Sequence, residues 1–241
     1  PTFSIIIPTF NSIRTINKTV RSVLNQTYKN YEVIIIDDGS TFDRQINTNN
    51  LSNLDTIKII TMKENRGHAR CIAAGLKFIY EKEEFDYIIP MDGDGEDRPE
   101  EIIEFIKATE KNPDYSIVGQ RVKRSEGFIF KICYFFHKIM TLVFTGHSIK
   151  FGNFTCLTKT TVEKLINEKA TWNSFSGALT KIEKNKISIS SIRGTRYFGP
   201  SKMSFPNLLN HSLAIISVFK KTVLIRSALF IVIYIFLIKS Y

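Results

Sequence analysis

The sequence has few cysteines and no pattern that pairs them. Only three occur in 241 residues, Cys71, Cys133 and Cys156, and none stands in a C-x-x-C arrangement. An odd number at wide spacing argues against a disulfide framework and against a structural zinc site. We therefore expect a chain that works in a reducing, cytoplasmic setting.

The N-terminal residues lack the features of a secretory signal. The sequence starts with Pro1-Thr2-Phe3, and no basic stretch, apolar segment and small-residue cleavage site follow one another there. We therefore expect no signal peptide in these residues.

Acidic residues are outnumbered by basic ones. The sequence holds 33 lysines and arginines against 23 aspartates and glutamates, a formal net charge of +10. This excess favours an anionic partner such as nucleic acid, a membrane surface or a phosphorylated substrate, and does not choose among them. The hydrophobic content of 43% is enough for one sizeable core.

A long apolar run occupies residues 223–238, where Arg226 is the one strongly polar residue. The run is slightly shorter than the roughly 20 residues that span a bilayer, and it is apolar on every helical face. This favours a membrane anchor, with a buried core helix as the alternative. Lys220, Lys221 and Arg226 flank its start, so the positive-inside tendency places the preceding residues at the cytoplasmic face of the inner (plasma) membrane.

Short runs rich in β-branched residues alternate with helical periodicity over the first 120 residues. The predicted strands are 3–7, 31–36, 56–61, 87–91 and 115–119, and the predicted helices are 12–26, 67–80 and 101–111. This alternation is typical of an α/β fold with a mostly parallel sheet covered by helices. Further along, we expect an interfacial helix at 128–144, with a plain core helix as the alternative. We also expect surface helices at 158–168 and 174–184, a strand at 187–197 and an amphipathic segment at 206–221.

Acidic residues follow two of the predicted strands. In open α/β sheets the ligand lies beyond the carboxyl ends of the strands, so both groups should face one crevice. An Asp-x-Asp pair on a glycine-rich turn offers the hard oxygen ligands that suit Mg²⁺ or Mn²⁺. An acidic turn that caps the next helix is the alternative. The residues concerned are Asp37, Asp38, Asp92, Asp94 and Asp97, with Glu96 as a sixth candidate.

Four short motifs occur in a fixed order along the chain. They are I-I-I-P-T-F-N at 5–11, V-I-I-I-D-D-G-S at 33–40, N-R-G at 65–67 and D-G-D-G-E-D-R-P-E at 92–100. Together they resemble the inverting family 2 glycosyltransferases of the GT-A fold, a Rossmann-like, mostly parallel sheet flanked by helices, and the resemblance covers residues 2–120. It implies a nucleotide-sugar donor, a divalent metal ion and inversion at the anomeric carbon.

The resemblance also implies roles for single residues. Pro8 and Asp38 would line the nucleoside pocket with support from Asp37, while Asp92 and Asp94 would hold the diphosphate and the metal. The implied donor-binding residues are Pro8, Asp37, Asp38, Asn65, Gly67 and Asp92. The implied metal ligands, for Mg²⁺ or Mn²⁺, are Asp92, Asp94 and Glu96.

A narrower resemblance concerns the acceptor. Residues 92–100 are similar to the D-A-D-L-Q-D-P-P-E run of dolichol-phosphate mannose synthases and bacterial polyprenyl-phosphate glucosyltransferases, and 196–202 are similar to their R-x-x-G-x-S-K segment. This implies a polyprenyl phosphate acceptor. The residues that would hold phosphate groups are Arg121, Arg124, Arg196, Ser201 and Lys202. Gly95, Glu96 and Arg98 depart from the pattern, which has leucine, glutamine and proline there.

The acceptor decides which catalytic residues the reaction needs. A polyprenyl phosphate oxygen is ionised near neutral pH and attacks without a strong base, whereas a sugar hydroxyl would need a carboxylate such as Asp97. Asp94, Asp97 and Arg121 are therefore the catalytic candidates, with Asp97 conditional on the acceptor. The four histidines show no ligand spacing, and we assign them no role.

The predicted organisation has three parts. Residues 1–125 form the nucleotide-sugar and metal-binding half, 126–205 an acceptor-side and interfacial region, and 206–241 an amphipathic segment with a membrane helix. Two alternatives stay open: a GT-A enzyme that extends a saccharide chain, and a membrane- or anion-binding module without catalysis. We expect a membrane as partner and no nucleic acid, because carboxylates at strand ends would repel it, and a homo-oligomer is left open.

Overall fold

The computed structural model describes residues 1–41, 57–123, 128–199 and 205–240. Within these residues, seven strands form one sheet: β1 (Phe3–Thr9), β2 (Tyr31–Asp37), β3 (Ile57–Thr61), β4 (Tyr87–Pro90), β5 (Ser116–Lys123), β6 (Phe151–Thr158) and β7 (Lys186–Ile192). Their order across the sheet is β3-β2-β1-β4-β6-β5-β7. All neighbouring strands are parallel except β6, which is antiparallel to both β4 and β5. The α/β fold predicted from the sequence is confirmed.

The α-helices of the described residues cover this sheet and continue beyond it. They are α1 (Ile13–Leu24), α2 (His68–Lys82), α3 (Ile102–Lys111), α4 (Phe128–Thr145), α5 (Lys159–Asn167), α6 (Phe175–Ile182), α7 (Phe205–Val218) and α8 (Lys220–Lys239). Helices α1 to α3 match the predicted ones within a few residues. Two short 3-10 helices, Pro99–Glu101 and Lys169–Trp172, precede α3 and α6.

The central strands β1 and β2 are mostly apolar because both faces of the sheet are covered. In β1, Ile5 and Ile7 point into one core cluster, whereas Ile6 between them belongs to a second cluster on the opposite face. In β2, Ile35 and Ile36 divide between the same two clusters. Strands buried on both faces read as continuous hydrophobic runs, which is why these segments could be predicted so directly.

Three segments of the second half differ from the sequence-based expectation. The strand predicted at 187–197 ends at Ile192, because Gly194 and Tyr197 bind the loop after β4 instead of a neighbouring strand. The periodicity does not predict β6, because Gly152 and Asn153 interrupt its β-branched pattern, yet this strand links the two halves of the sheet. Helix α6 is expected at the surface, but Phe175 to Leu179 are all buried. Strands β6 and β7 complete the sheet begun by β1 to β5, so the predicted parts 1–125 and 126–205 share one sheet.

Helix α8 stands out by its exposure. Its 18-residue apolar window has a mean hydropathy of 2.1 and no buried residue, and among the described residues it is the one helix long and apolar enough to cross a membrane. Apolar side chains are also exposed on α4 and α7. They include Phe135, Phe136, Ile139, Met140, Leu142 and Val143 on α4, and Leu209 and Leu213 on α7.

Arg226, the one strongly charged residue inside the apolar run of α8, binds the end of α4. Its Nη1 donates to the carbonyl oxygens of Val143 at 2.9 Å and Leu142 at 3.4 Å. The last carbonyls of a helix have no partner within the helix, and the negative end of the helix dipole attracts a cation. Arg226 therefore joins α8 to the C-terminus of α4.

Candidate active site

The first part of the site is a corner at the carboxyl end of β2. Asp38 is almost fully buried and its two carboxylate oxygens accept hydrogen bonds from the backbone N–H groups of Arg66, at 2.8 Å, and Gly67, at 2.9 Å. Its own N–H donates to the carbonyl of Thr9 at the end of β1. The Asp38 carboxylate thus holds the loop before α2 at the carboxyl end of β2.

Residues next to Asp38 hold two backbone segments of this corner close together. Asp37 accepts hydrogen bonds from the backbone N–H and the hydroxyl group of Ser40. Gly39 has φ of +70°, and a Cβ atom there would lie 2.6 Å from the carbonyl carbon of Glu64. Only glycine allows this approach of two backbone segments. Pro8 is buried in β1 opposite Ile36.

The second part of the site follows β4 and centres on Asp92. Its Oδ1 lies 3.1 Å from Nε2 of His68 and 3.3 Å from Nδ2 of Asn153 in β6. Burial would raise the pKa of Asp92, but the charge and hydrogen bond of His68 outweigh it and hold that pKa below its usual range. Burial likewise lowers the pKa of His68, and Asp92 raises it above the ordinary value. The two groups stabilise each other as an ion pair.

Asp97 lies beneath this loop rather than at its surface. It is 2% exposed, its Oδ2 accepts from the backbone N–H of Asp92 at 2.9 Å, and its Oδ1 lies 3.0 Å from Nη2 of Arg121. Burial and the charge of Asp92 raise the pKa of Asp97 to about 7, although Arg121 acts in the opposite direction. Both oxygens of the conditional base are therefore engaged inside the protein.

Two arginines from the segment after β7 reach the acidic loop. Nε of Arg196 donates to Oε1 of Glu96 at 2.8 Å, and its Nη2 lies 3.0 Å from Oδ2 of Asp94. Arg193 pairs with the other oxygen of Glu96. Burial would raise the pKa of Glu96, but Arg196 and Arg193 together hold it below its usual range. Glu96 faces these arginines in this structure.

Residues 193–197, here called the strap, also bind the loop through their backbone. The N–H of Gly194 donates to the carbonyl of Glu96 at 2.8 Å, and the N–H of Tyr197 donates to the carbonyl of Asp94 at 2.9 Å. The ring of Tyr197 packs against Gly95, whose φ is +93°. Gly95 and Glu96, two departures from the resembling families, thus both contact the strap.

The acidic loop offers oxygen ligands, but few of them. Across residues 1–41, 57–123, 128–199 and 205–240, no group of three or more His, Cys, Asp or Glu side chains is placed to hold a metal ion. Asp92 and Asp94, the Asp-x-Asp pair of the loop after β4, offer two carboxylates. Mg²⁺ and Mn²⁺ prefer oxygen ligands, and Mg²⁺ is commonly bound by one or two carboxylates together with substrate phosphates and water. The donor set suits such an ion bridged to a diphosphate.

The structure brings most of the predicted residues into one region. Asp97 contacts Asp92 and Arg121, and Arg196 contacts Asp94 and Glu96, so these six residues form two groups of contacts in one region, around the loop after β4. The Asp37–Asp38 corner adjoins it, because Gly67, bound by Asp38, directly precedes His68, bound by Asp92. Asn65 is exposed in the loop beside this corner. Arg124, Ser201 and Lys202 lie outside the described residues.

Three residues of the site were not predicted from the sequence. His68 and Asn153 both contact Asp92, and Arg193 contacts Glu96. His68 directly follows the N-R-G motif, so its position in the sequence could have indicated that it belongs to the site. Asn153 and Arg193 gave none, since the residues they contact are 61 and 97 positions away.

Comparison with known proteins identifies the family to which this site belongs. A family model described as "Glycosyl transferase family 2" matches residues 4–171. An uncharacterized glycosyltransferase of Haemophilus influenzae is 34% identical over 120 residues, 49% of this chain and 36% of that protein. The undecaprenyl-phosphate 4-deoxy-4-formamido-L-arabinose transferase of Proteus mirabilis is 25% identical over 225 residues, 86% of this chain and 64% of that protein.

The fold has solved counterparts. Glucosyl-3-phosphoglycerate synthase from Mycobacterium tuberculosis, in complex with Mn²⁺, UDP and glucosyl-3-phosphoglycerate, superimposes with a TM-score of 0.65 at 12% identity, over 92% of this chain and 79% of that one. At that identity the likeness concerns the fold, which is GT-A.

The two curated relatives are longer than this chain, which spans about one third of the first and two thirds of the second. The match to the family model nevertheless covers well over half of the chain, from β1 into the segment before α6. It includes both acidic strand ends and β6. The chain therefore belongs to glycosyl transferase family 2 and is a glycosyltransferase of the GT-A fold.

Proposed function

We propose that this glycosyltransferase moves a sugar from a nucleoside diphosphate donor to a polyprenyl phosphate at the cytoplasmic face of a membrane. The observation that carries the proposal is a set of ion pairs beside Asp92. Arg196 pairs with Asp94 and Glu96, and Arg193 pairs with Glu96. Carboxylates suited to a cation-bound diphosphate thus lie beside guanidinium groups, which bind phosphate oxygens in bidentate fashion. The site can serve two phosphate groups.

The donor side of the proposal rests on the corner at the ends of β1 and β2. Ligands of open α/β sheets bind beyond the carboxyl ends of the strands, and Asp38 there holds the loop of Arg66 and Gly67 in place. We propose that Pro8, Asp37 and Asp38 form the nucleoside pocket. The solved neighbour that holds UDP supports a nucleotide donor.

Asp92 and Asp94 are the proposed ligands of the divalent cation. The bound Mg²⁺ or Mn²⁺ would supply positive charge that neutralises the diphosphate leaving group. The same neighbour holds Mn²⁺, which supports a divalent ion in this fold. Glu96 is paired with two arginines, so we assign it to the arginines rather than to the metal.

On the acceptor side, an oxygen of the lipid phosphate attacks the anomeric carbon as the bond to the donor diphosphate breaks, with inversion. Asp97 is buried with both oxygens engaged by Asp92 and Arg121, which favours an acceptor that arrives already ionised over a sugar hydroxyl. We propose that Arg196, together with Arg124, Ser201 and Lys202, binds the acceptor phosphate. Arg121 would keep the acidic loop in position from below.

The membrane part of the proposal rests on α8 and on the exposed apolar side chains of α4. Helix α8 has the length and hydropathy of a membrane span. Lys220 and Lys221 at its start are exposed, and basic residues near a span favour the cytoplasmic side. The Proteus mirabilis relative is named for an undecaprenyl-phosphate acceptor, which supports a lipid substrate at this surface.

The test is transfer of radiolabelled sugar by the full chain in detergent with Mn²⁺. UDP- and GDP-sugars are offered with a short polyprenyl phosphate, with the matching polyprenol that lacks the phosphate, or with a free saccharide. We expect transfer only to the lipid phosphate and its loss with EDTA. Transfer to the free saccharide instead would move the assignment to a chain-extending enzyme.

Asp94→Asn is the variant that tests the metal ligands, and we expect it to lower transfer about a hundredfold or more, the order of an essential electrostatic contact. Glu104→Gln, an equal loss of charge at an exposed residue of α3 paired with Lys107, is the matched control. Equal activity of both variants would contradict the proposed role of Asp94.

A further inference from the structure

Arg196 bridges two carboxylates of the same loop, and the two contacts differ. Its Nε binds Glu96 and its Nη2 binds Asp94. The side chain of Glu96 is 10% exposed and has Arg193 as a second partner, whereas that of Asp94 is 32% exposed. The contact with Glu96 is therefore the more enclosed one, and the contact with Asp94 is open on one side.

The Asp94 carboxylate has few other groups to stabilise its charge. Its Oδ1 accepts from the backbone N–H of Glu96 at 3.0 Å, and its Oδ2 has Arg196. Its neighbours Asp92 and Glu96 in the same loop are acidic as well. Among the described residues, Arg196 is the cation paired with Asp94, on the carboxylate that a divalent ion would also use.

We propose that Arg196 exchanges partners during the reaction cycle and that Glu96 is the positioning residue that retains it. This inference rests on the proposed function, in which Asp94 is a metal ligand. When Asp94 takes up the cation with the donor, Arg196 releases Asp94 but stays bound to Glu96 through Nε. Its Nη2 edge then becomes available for the acceptor phosphate, so the donor binds before the acceptor.

The physical reason for the exchange is competition for one carboxylate. A guanidinium and a divalent cation bound to the same carboxylate would bring two positive charges close together, and these charges repel each other. Without Glu96, the released guanidinium would be free to leave the site. Glu96, where the resembling families have glutamine, supplies the charge that retains it.

The chain offers a matched pair of variants to test the exchange. Arg196→Gln and Arg193→Gln each remove one positive charge and one contact with Glu96, but only Arg196 contacts Asp94. The probe is Mn²⁺ alone, titrated into the full chain in detergent and followed by the electron paramagnetic resonance signal of free Mn²⁺. We expect Arg196→Gln to tighten Mn²⁺ binding about fivefold and Arg193→Gln to change it less than about twofold.

Equal effects of the two variants, or none with Arg196→Gln, would overturn the exchange. The same titration with Asp94→Asn separates this outcome from failure of the proposed function. If Asp94→Asn still binds Mn²⁺ as the wild type does, the metal site itself is wrong. If it loses Mn²⁺ while the arginine variants behave alike, only the exchange is wrong.

Glu96→Gln tests the retaining role. We expect the KM for the lipid phosphate to rise about tenfold with kcat changed less than about threefold, because the arginine is misplaced rather than lost. Unchanged KM would overturn the role of Glu96. A fall in kcat together with a lower Tm would also overturn it, since that result would mean that Glu96 only maintains the fold of the loop.

Discussion

The ring of Tyr197 occupies the space that a side chain at position 95 would need. A Cβ atom on Gly95 would lie 2.8 Å from Cδ1 and Cε1 of Tyr197, and Gly95 has φ of +93°. Glycine is required there twice, once for the backbone conformation and once for the contact. The resembling families have leucine at this position, and the contact with Tyr197 depends on the glycine that this chain has in its place.

Gly95→Ala should therefore destabilise the protein by about 2 to 4 kcal/mol, the sum of backbone strain and a steric clash. Chemical denaturation followed by circular dichroism measures the loss. Gly199→Ala is the control, because Gly199 has φ of +69° but none of the described residues has an atom within 4 Å of its Cβ position. Gly199→Ala should lower the free energy of unfolding only by the backbone strain of an alanine at positive φ. If Gly199→Ala destabilised the protein as much as Gly95→Ala, the clash with Tyr197 would contribute nothing to the loss.

A double variant checks the contact directly. Tyr197→Ala removes the ring, so Gly95→Ala should cost less in the Tyr197→Ala background than in the wild type, by about 1 kcal/mol or more. Additive costs would contradict the packing of Tyr197 on Gly95.

Arg121→Met should destabilise the metal-free protein, and the loss should grow with pH. Arg121 is the counter-charge of buried Asp97, and removal of one partner of a buried pair costs about 3 to 5 kcal/mol. The pKa of Asp97 is raised to about 7 even with Arg121 present, so the variant must raise it further. Urea denaturation with EDTA, at about pH 6 and about pH 8.5, measures the change.

The sign follows from the protonation of Asp97 in the folded state. Below about pH 7, folded wild type and folded variant both carry Asp97 protonated, and the loss is smallest. Above that pH, Asp97 of the folded wild type is ionised and paired with Arg121, whereas Asp97 of the folded variant stays protonated. The free energy of unfolding of the variant therefore falls faster than that of the wild type as pH rises. In an Asp97→Asn background, Arg121→Met should show no such trend. A loss that shrinks with rising pH would contradict the pairing.

Arg226→Leu should loosen the C-terminus of α4 although it makes α8 more apolar. Its guanidinium binds the carbonyl oxygens of Val143 and Leu142, and the Leu142 carbonyl also accepts from the backbone N–H of Gly146. We expect hydrogen exchange at residues 142–147 to become about tenfold faster in detergent micelles. Lys221→Leu, at an exposed residue of the same helix, should leave this exchange unchanged. Equal protection in both variants would contradict the link between α4 and α8.

Asp38→Asn should weaken nucleotide binding without changing the KM for the lipid acceptor. The carboxylate accepts two backbone N–H bonds, from Arg66 and Gly67, and an amide can accept only one of them while its NH₂ group opposes the other. We expect UDP or GDP affinity to fall about tenfold in a calorimetric titration with Mn²⁺. Glu64→Gln removes a charge from the same loop at an exposed residue and is the control.

Much of the fold could be predicted because its signals are local. The apolar runs of β1 and β2 come from burial on both faces of a sheet, and this burial leaves a continuous pattern in consecutive residues. The positions of Asp38 and Asp92 at strand ends follow from the same runs. The hydropathy of α8 is likewise a property of neighbouring residues.

The partners of the acidic residues, by contrast, depend on the tertiary structure. Glu96 could have been a metal ligand by its sequence position, yet Arg193 and Arg196, 97 and 100 residues later, occupy its oxygens. Asp92 acquires His68 and Asn153 in the same way, the latter from the unpredicted β6. Periodicity reports how each residue relates to its neighbours in the chain. The charge balance of a site depends instead on which distant strands and loops the sheet brings together, and no local pattern records that.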